Sequence, residues 1–136
     1  MRALLTSIIV SLSLPAIAAE TPPQCLPELP ASAVKVMPGT GWTVFMDRPF
    51  YLSGARMSAG PPETLTVLRG QDVGKNAVSY GYDASGPGPG LWLDCLYGEG
   101  GEIVISHGVT GKYRECVITR RKRERGEQLR VEVLCR

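Results

Sequence analysis

Four cysteines, one histidine and one dense run of arginines are the residues of this 136-residue sequence with the most chemistry to offer. Cys25, Cys95, Cys116 and Cys135 contain no C-x-x-C pair, and His107 stands alone as an imidazole. That spacing does not match a structural zinc set or a thioredoxin-like redox pair. We expect no metal and no cofactor. An even cysteine count in a small exported domain reads instead as two disulfides.

Nucleophiles and bases are poorly placed. Ser106 and His107 are the one base–nucleophile pair in sequence, but adjacent strand residues point to opposite faces, and His107-Gly108 reads as a turn. No G-x-S-x-G elbow surrounds any serine. Asp47, Glu63, Asp83, Asp94, Glu99 and Glu102 form no recognisable acid pair and read as exposed loop carboxylates. Gly70 to Asn76 is one residue short of a phosphate-binding loop and lacks its Ser or Thr. The sequence is therefore read as non-enzymatic, with no catalytic residue.

Binding chemistry is better represented. Arg120-Arg121-Lys122-Arg123-Glu124-Arg125 is basic at five of six positions. Such a run serves as a solvated hairpin tip that discourages edge-to-edge association, or as a docking patch for an acidic partner. Arg121, Arg123 and Arg125 are its candidate partner-binding residues. Ser53 to Pro62 is the second candidate, read as a loop of small residues that lets a partner approach, with Arg56 as anchor.

The elements that must position these residues begin after an export signal. Met1-Arg2 is positive, Ala3 to Leu14 is mostly apolar, Pro15 breaks it, and Ala16-Ile17-Ala18 is a small-x-small cleavage site. This is the layout of a secretory signal peptide, assigned to residues 1–19. The apolar stretch falls short of the roughly 20 residues needed to span a bilayer. Cys25 follows Pro22-Pro23-Gln24, a poor lipid-attachment context. The mature chain is expected in the periplasm or secreted, without membrane insertion. Without Arg2, 14 basic residues face 13 acidic ones, too balanced for a general nucleic-acid binder.

Residues 20–40 carry five prolines and read as an irregular lead, with at most a helical turn over 31–36. Residues 41–136 then alternate short apolar runs with turn residues. Strands are expected over 42–46, 50–52, 64–68, 77–82, 91–97, 102–106, 113–121 and 128–135, with turns at 86–90, 98–101 and 107–112. Trp42 and Trp92 are expected in the core. Seven or eight short strands without a long helical period give an all-β domain, a small antiparallel sandwich or barrel.

The last hairpin allows a sharper step. If its turn centres between Arg125 and Gly126, Cys116 faces Cys135, Ile118 faces Val133 and Arg120 faces Val131. Opposed strand residues suit disulfide geometry, so Cys116–Cys135 is expected, leaving Cys25–Cys95. Two other connectivities remain open at this point.

The order Cys25, Gly41-Trp42-Thr43-Val44-Phe45, Gly60-Pro61-Pro62, Leu91-Trp92-Leu93 with Cys95 and Tyr97, then Cys116 and Cys135 resembles a family of small uncharacterised exported proteobacterial proteins. That family is named after a Salmonella Typhi locus tag. The resemblance spans most of the mature chain. It implies an association with type VI secretion loci, and hence a periplasmic immunity protein acting on a cell-wall-directed toxin. Ser53-Gly54-Ala55-Arg56 is also similar to a loop of the periplasmic C-type lysozyme inhibitors, which are small β-barrels, although Met57 replaces their tyrosine. Both likenesses imply a protein partner, a peptidoglycan-targeting enzyme or toxin. The alternative is a structural or envelope-associated protein.

Overall fold

The structure, a computed structural model, describes residues 21–64, 66–83, 88, 90–109, 113–121 and 128–136. The assigned signal peptide, most of the Gly86–Gly90 turn and the tip carrying Arg123 and Arg125 lie outside the described residues. Eight strands are described: β1 (Glu28–Leu29), β2 (Phe50–Ala59), β3 (Gln71–Gly74), β4 (Ala77–Gly81), β5 (Leu91–Tyr97), β6 (Ile103–Gly108), β7 (Glu115–Arg121) and β8 (Arg130–Cys135). They form two four-stranded antiparallel sheets, ordered β1-β2-β5-β6 and β3-β4-β7-β8. The sheets do not close into a barrel, so the fold is the sandwich of the two expected architectures.

β5 shows why the sequence folds this way. Leu91, Leu93, Cys95 and Tyr97 alternate along it and are all buried, as a period of two requires. They join Leu52, Ala55 and Met57 of β2 and Tyr80, Cys116, Ile118, Val131 and Val133 of the second sheet in one core cluster. The turn from β5 to β6 needs glycine: Gly98 has φ 92°, and a Cβ there would clash with the Glu102 carboxylate. Left-handed backbone of this kind is the glycine region.

The final hairpin has the expected register, with Cys116 opposite Cys135, Ile118 opposite Val133 and Arg120 opposite Val131. Both expected disulfides are present. Cys116–Cys135 crosses the hairpin with Cα atoms 4.0 Å apart, and Cys25–Cys95 ties the lead to β5 at 5.6 Å. The lead is held twice more: the Tyr97 hydroxyl donates to the Leu26 carbonyl, and the Gln24 amide exchanges two hydrogen bonds with the Val133 backbone on the edge of β8.

Several local expectations are corrected. Trp42 to Met46 is not a strand. Trp42 is 78 % and Phe45 87 % exposed, and the start of β2, which this segment feeds, already has β1 on one side and β5 on the other. Strand propensity is realised only where a segment packs against cross-strand and same-face neighbours. Ser53 to Ala59 is not a loop but the body of β2, with a bulge between Leu52 and Gly54. Its small residues reflect close packing on both faces. The run over 64–68 reduces to a 3-10 turn, Pro62–Thr64, and one bridge from Val67 to Ser58. The phosphate-loop-like run is the β3–β4 hairpin, whose Gly70 lies under Val78 and Tyr80. His107 and Gly108 end β6 rather than forming a turn.

Candidate functional site

The middle of the first sheet holds a polar row across three strands. Arg56 on β2 pairs with Asp94 on β5, and Asp94 pairs with Ser106 on β6. Asp94 is the single charged residue in Leu-Trp-Leu-Asp-Cys-Leu-Tyr and is 1 % exposed. It is not the exposed loop carboxylate expected from sequence. Period two places it on the face opposite Leu93 and Cys95, where only its cross-strand neighbours can satisfy it.

They do so with three donors. Ser58 Oγ donates to Asp94 Oδ2 at 2.5 Å, Ser106 Oγ to Oδ1 at 2.6 Å, and Arg56 Nε to Oδ2 at 3.2 Å. Ser58 is itself buried. A carboxylate accepts up to about four hydrogen bonds, so this one is well satisfied without a ligand. Its effect is on Arg56. With Nε fixed against a rigid anion, the outer guanidinium nitrogens are aimed by the strand while the side chain stays 35 % exposed.

A second cation approaches the same strand. Arg120 Nη2 lies 3.8 Å from where a Cβ on Gly54 would sit, two residues before Arg56. Among the described residues Arg120 has no carboxylate within ion-pair distance. Both guanidiniums act on one buried hydroxyl. Burial pushes the Tyr80 phenol up, Arg120 and then Arg56 pull it down, and Asp72 pushes it up. Arg120 also lines a small cavity of about 250 Å³ with Lys75 and Asp72 at the β3–β4 turn.

The hairpin residues fare differently. Arg121 is exposed and ion-paired across the hairpin with Glu132, so its charge is already met. Arg123 and Arg125 are outside the described residues. Arg56 therefore gains a built environment, and Arg120, part of the basic run but not one of its three candidates, joins it. The signal for Asp94 was its isolation in an apolar strand. Arg120 was marked by its place opposite Val131, on the inward face of the hairpin.

Ser106 and His107 do not meet. Ser106 turns to Asp94, while the exposed His107 ring is 2.7 Å from the Gly108 carbonyl through Nδ1. Trp92 is half-buried, its ring 3.7 Å from where a Gly108 Cβ would lie across the strand pair. A cleft of about 730 Å³ opens between the start of β2 and the β5–β6 turn, lined by Phe50, Leu52 and Ile103 with Arg48, Glu99 and Glu102. The segment before β2 exposes Val36, Met37, Trp42 and Phe45. Among the described residues no helix is long and apolar enough to cross a membrane, and two disulfides suit an oxidising compartment.

No family model, curated protein or solved structure matches this chain.

Proposed function

We propose that the chain is an exported, periplasmic, non-enzymatic binding protein that inhibits a cell-wall-degrading enzyme, in the manner of an immunity protein. The observation that carries this reading is Arg56, a guanidinium anchored through Nε on the buried Asp94 carboxylate and joined by Arg120, which has no ion-pair partner among the described residues. A pre-organised cation loses little entropy on docking, and arginine is favoured as an interface anchor. Hydrolases that cleave glycosidic bonds work with paired carboxylates, which an anchored guanidinium complements.

The test is inhibition of peptidoglycan clearing by a panel of wall hydrolases, including those encoded beside this gene. Inhibition is expected for one of them, with the Arg56→Ala variant releasing it faster and the Arg120→Ala variant associating more slowly and with a flatter salt dependence. Clearing of peptidoglycan by the pure protein alone would refute the non-enzymatic reading. The exposed apolar residues before β2, Met37, Trp42 and Phe45, favour the second reading, an envelope-associated structural protein. Co-sedimentation with envelope fragments, lost on replacing Trp42 and Phe45 by Ser, would select it.

A further inference from the structure

We infer that β6 is a pairing edge for a second copy of this chain, joined antiparallel about Ile105. Hydrogen-bond parity decides which backbone groups of β6 face outward. The Val109 amide donates to the Leu91 carbonyl at 2.8 Å, and Leu91 and Val109 continue the β5–β6 register in which Trp92 faces Gly108. Hydrogen-bonded and non-bonded pairs alternate in an antiparallel ladder. Ile103, Ile105 and His107 therefore bond to β5, and Val104, Ser106 and Gly108 send their N–H and C=O groups outward. The same parity on β8, set by the Glu115–Arg136 pair, turns Val133 outward, and Val133 is where Gln24 docks.

Sheet edges are templates for pairing unless they are guarded. The other three edges are. β8 has Gln24 over its centre and Arg130 and Glu132 along it. β3 is four residues long, carries Asp72 and is broken by a bulge after it. β1 has two residues, and further along that side of β2 the Met57 carbonyl and the Ala59 amide are bonded to Leu68 and Thr66. β6 is Ile-Val-Ile-Ser-His-Gly, six residues without a Lys, Arg, Asp, Glu or Pro. Among the described residues, β6 is the last strand of its sheet and no backbone group pairs with the outward side of Val104 or Ser106.

The sequence of β6 fits its own antiparallel copy. With Ile105 on the twofold axis, Val104 lies opposite the partner's Ser106 and exchanges both backbone bonds with it, twice. Ile103 lies opposite the partner's His107. Ile105, 46 % exposed in the single chain, meets its own copy at a close, non-bonded pair. No like charges oppose one another, which is the usual obstacle to self-pairing. The His107 ring, resting on the Gly108 carbonyl, must swing aside for the outermost bonds. Two four-stranded sheets become one of eight strands. One strand pair falls short of the roughly 1,200 Å² of a standard interface, so the dimer is weak and concentration-dependent.

Sedimentation equilibrium of the mature, disulfide-intact protein over about 10 µM to 1 mM, the affinity range of weak contacts, is the first measurement. A monomer–dimer equilibrium is expected. Val104→Pro removes an outward N–H without breaking a β5–β6 bond, and Ile105→Lys places two charges at the axis. Each should weaken the dimer at least about tenfold, the step that 1.4 kcal/mol produces. Near-UV circular dichroism reports whether each variant keeps its core, and Ile105→Lys stands alone if the proline variant does not. Amide exchange supplies an independent readout. Val104 and Ser106 amides should slow as concentration rises, while Ile103, Ile105 and His107 stay protected throughout. A monomer at every concentration overturns the proposal. So does a dimer indifferent to Ile105→Lys, or one in which the Val104 and Ser106 amides exchange freely.

Discussion

Removing Asp94 should cost more than removing Arg56, and the coupling between the two changes measures how the site is built. Asp94→Ala strips the acceptor from three donors at once. A buried donor left without a partner costs about 1–3 kcal/mol. Ser58, at 2 % exposure, bears that in full. Ser106 is half-buried, and Arg56 is 35 % exposed, so water relieves both, leaving a total of about 2–5 kcal/mol. Arg56→Ala leaves a buried carboxylate with two hydroxyl donors. Breaking a fully buried pair costs about 3–5 kcal/mol, and the exposure of Arg56 reduces this to about 1–3 kcal/mol. Against a typical stability of about 5–15 kcal/mol, both variants remain folded, and Arg56→Ala is usable as a binding probe. The double variant should be less destabilised than the sum of the singles, with a coupling of about 1–2 kcal/mol. Urea unfolding followed by Trp92 fluorescence is the assay. Trp92 is two residues from Asp94 on the same face, while exposed Trp42 contributes a nearly constant background. A coupling below about 0.3 kcal/mol, the scatter expected of independent sites, would mean that Asp94 does not hold Arg56.

Three other outcomes follow from the structure. The disulfides close loops of 70 and 19 residues, and in the chain-entropy model they contribute about 4.4 and 3 kcal/mol. Their sum rivals the whole stability of such a domain, so reduction should unfold the chain at 37 °C, visible as loss of near-UV circular dichroism, while Cys116→Ser/Cys135→Ser alone should leave it folded with a lower urea midpoint. Glu115 is held below its ordinary value of 4.5 by hydrogen bonds from Ser79 and then Arg136. A depressed carboxyl stabilises the fold above its unfolded pKa and loses that contribution as pH falls through the folded value, so the urea midpoint of the wild type should fall below pH 4.5 more steeply than that of Glu115→Gln. Gly98→Ala should cost about 1 kcal/mol or more, because L residues avoid φ 92°, and a thermal melt that shows no change would place the β5–β6 turn in another conformation.

What was legible in the sequence, and what was not, divides along a physical line. β5 and the β7–β8 hairpin were readable because each buries one apolar face, so hydrophobicity alternates with the strand period, and a turn centre then fixes which cysteines meet. β2 failed that test. It is packed on both faces around 54–58, so Gly54, Ala55 and Ser58 are small because neighbours crowd them, and small residues in a row read as a loop. Trp42 to Met46 failed in the opposite sense: its residues favour strands, but a strand also needs a neighbour to pair with, and neighbours are a property of topology. The site suffered from the same limit. Arg56 was visible as a lone cation, but its worth depends on Asp94 lying directly across a strand pair 38 residues away. Asp94 was visible as a charge inside an apolar strand, where only a partner on the adjacent strand could justify it. Neither residue could nominate the other until the β2–β5 register was known. A buried acid in a strand of known facing therefore narrows its partner to the few positions opposite it, and a cation among those positions, left half-exposed as Arg56 is, becomes the residue to test for binding.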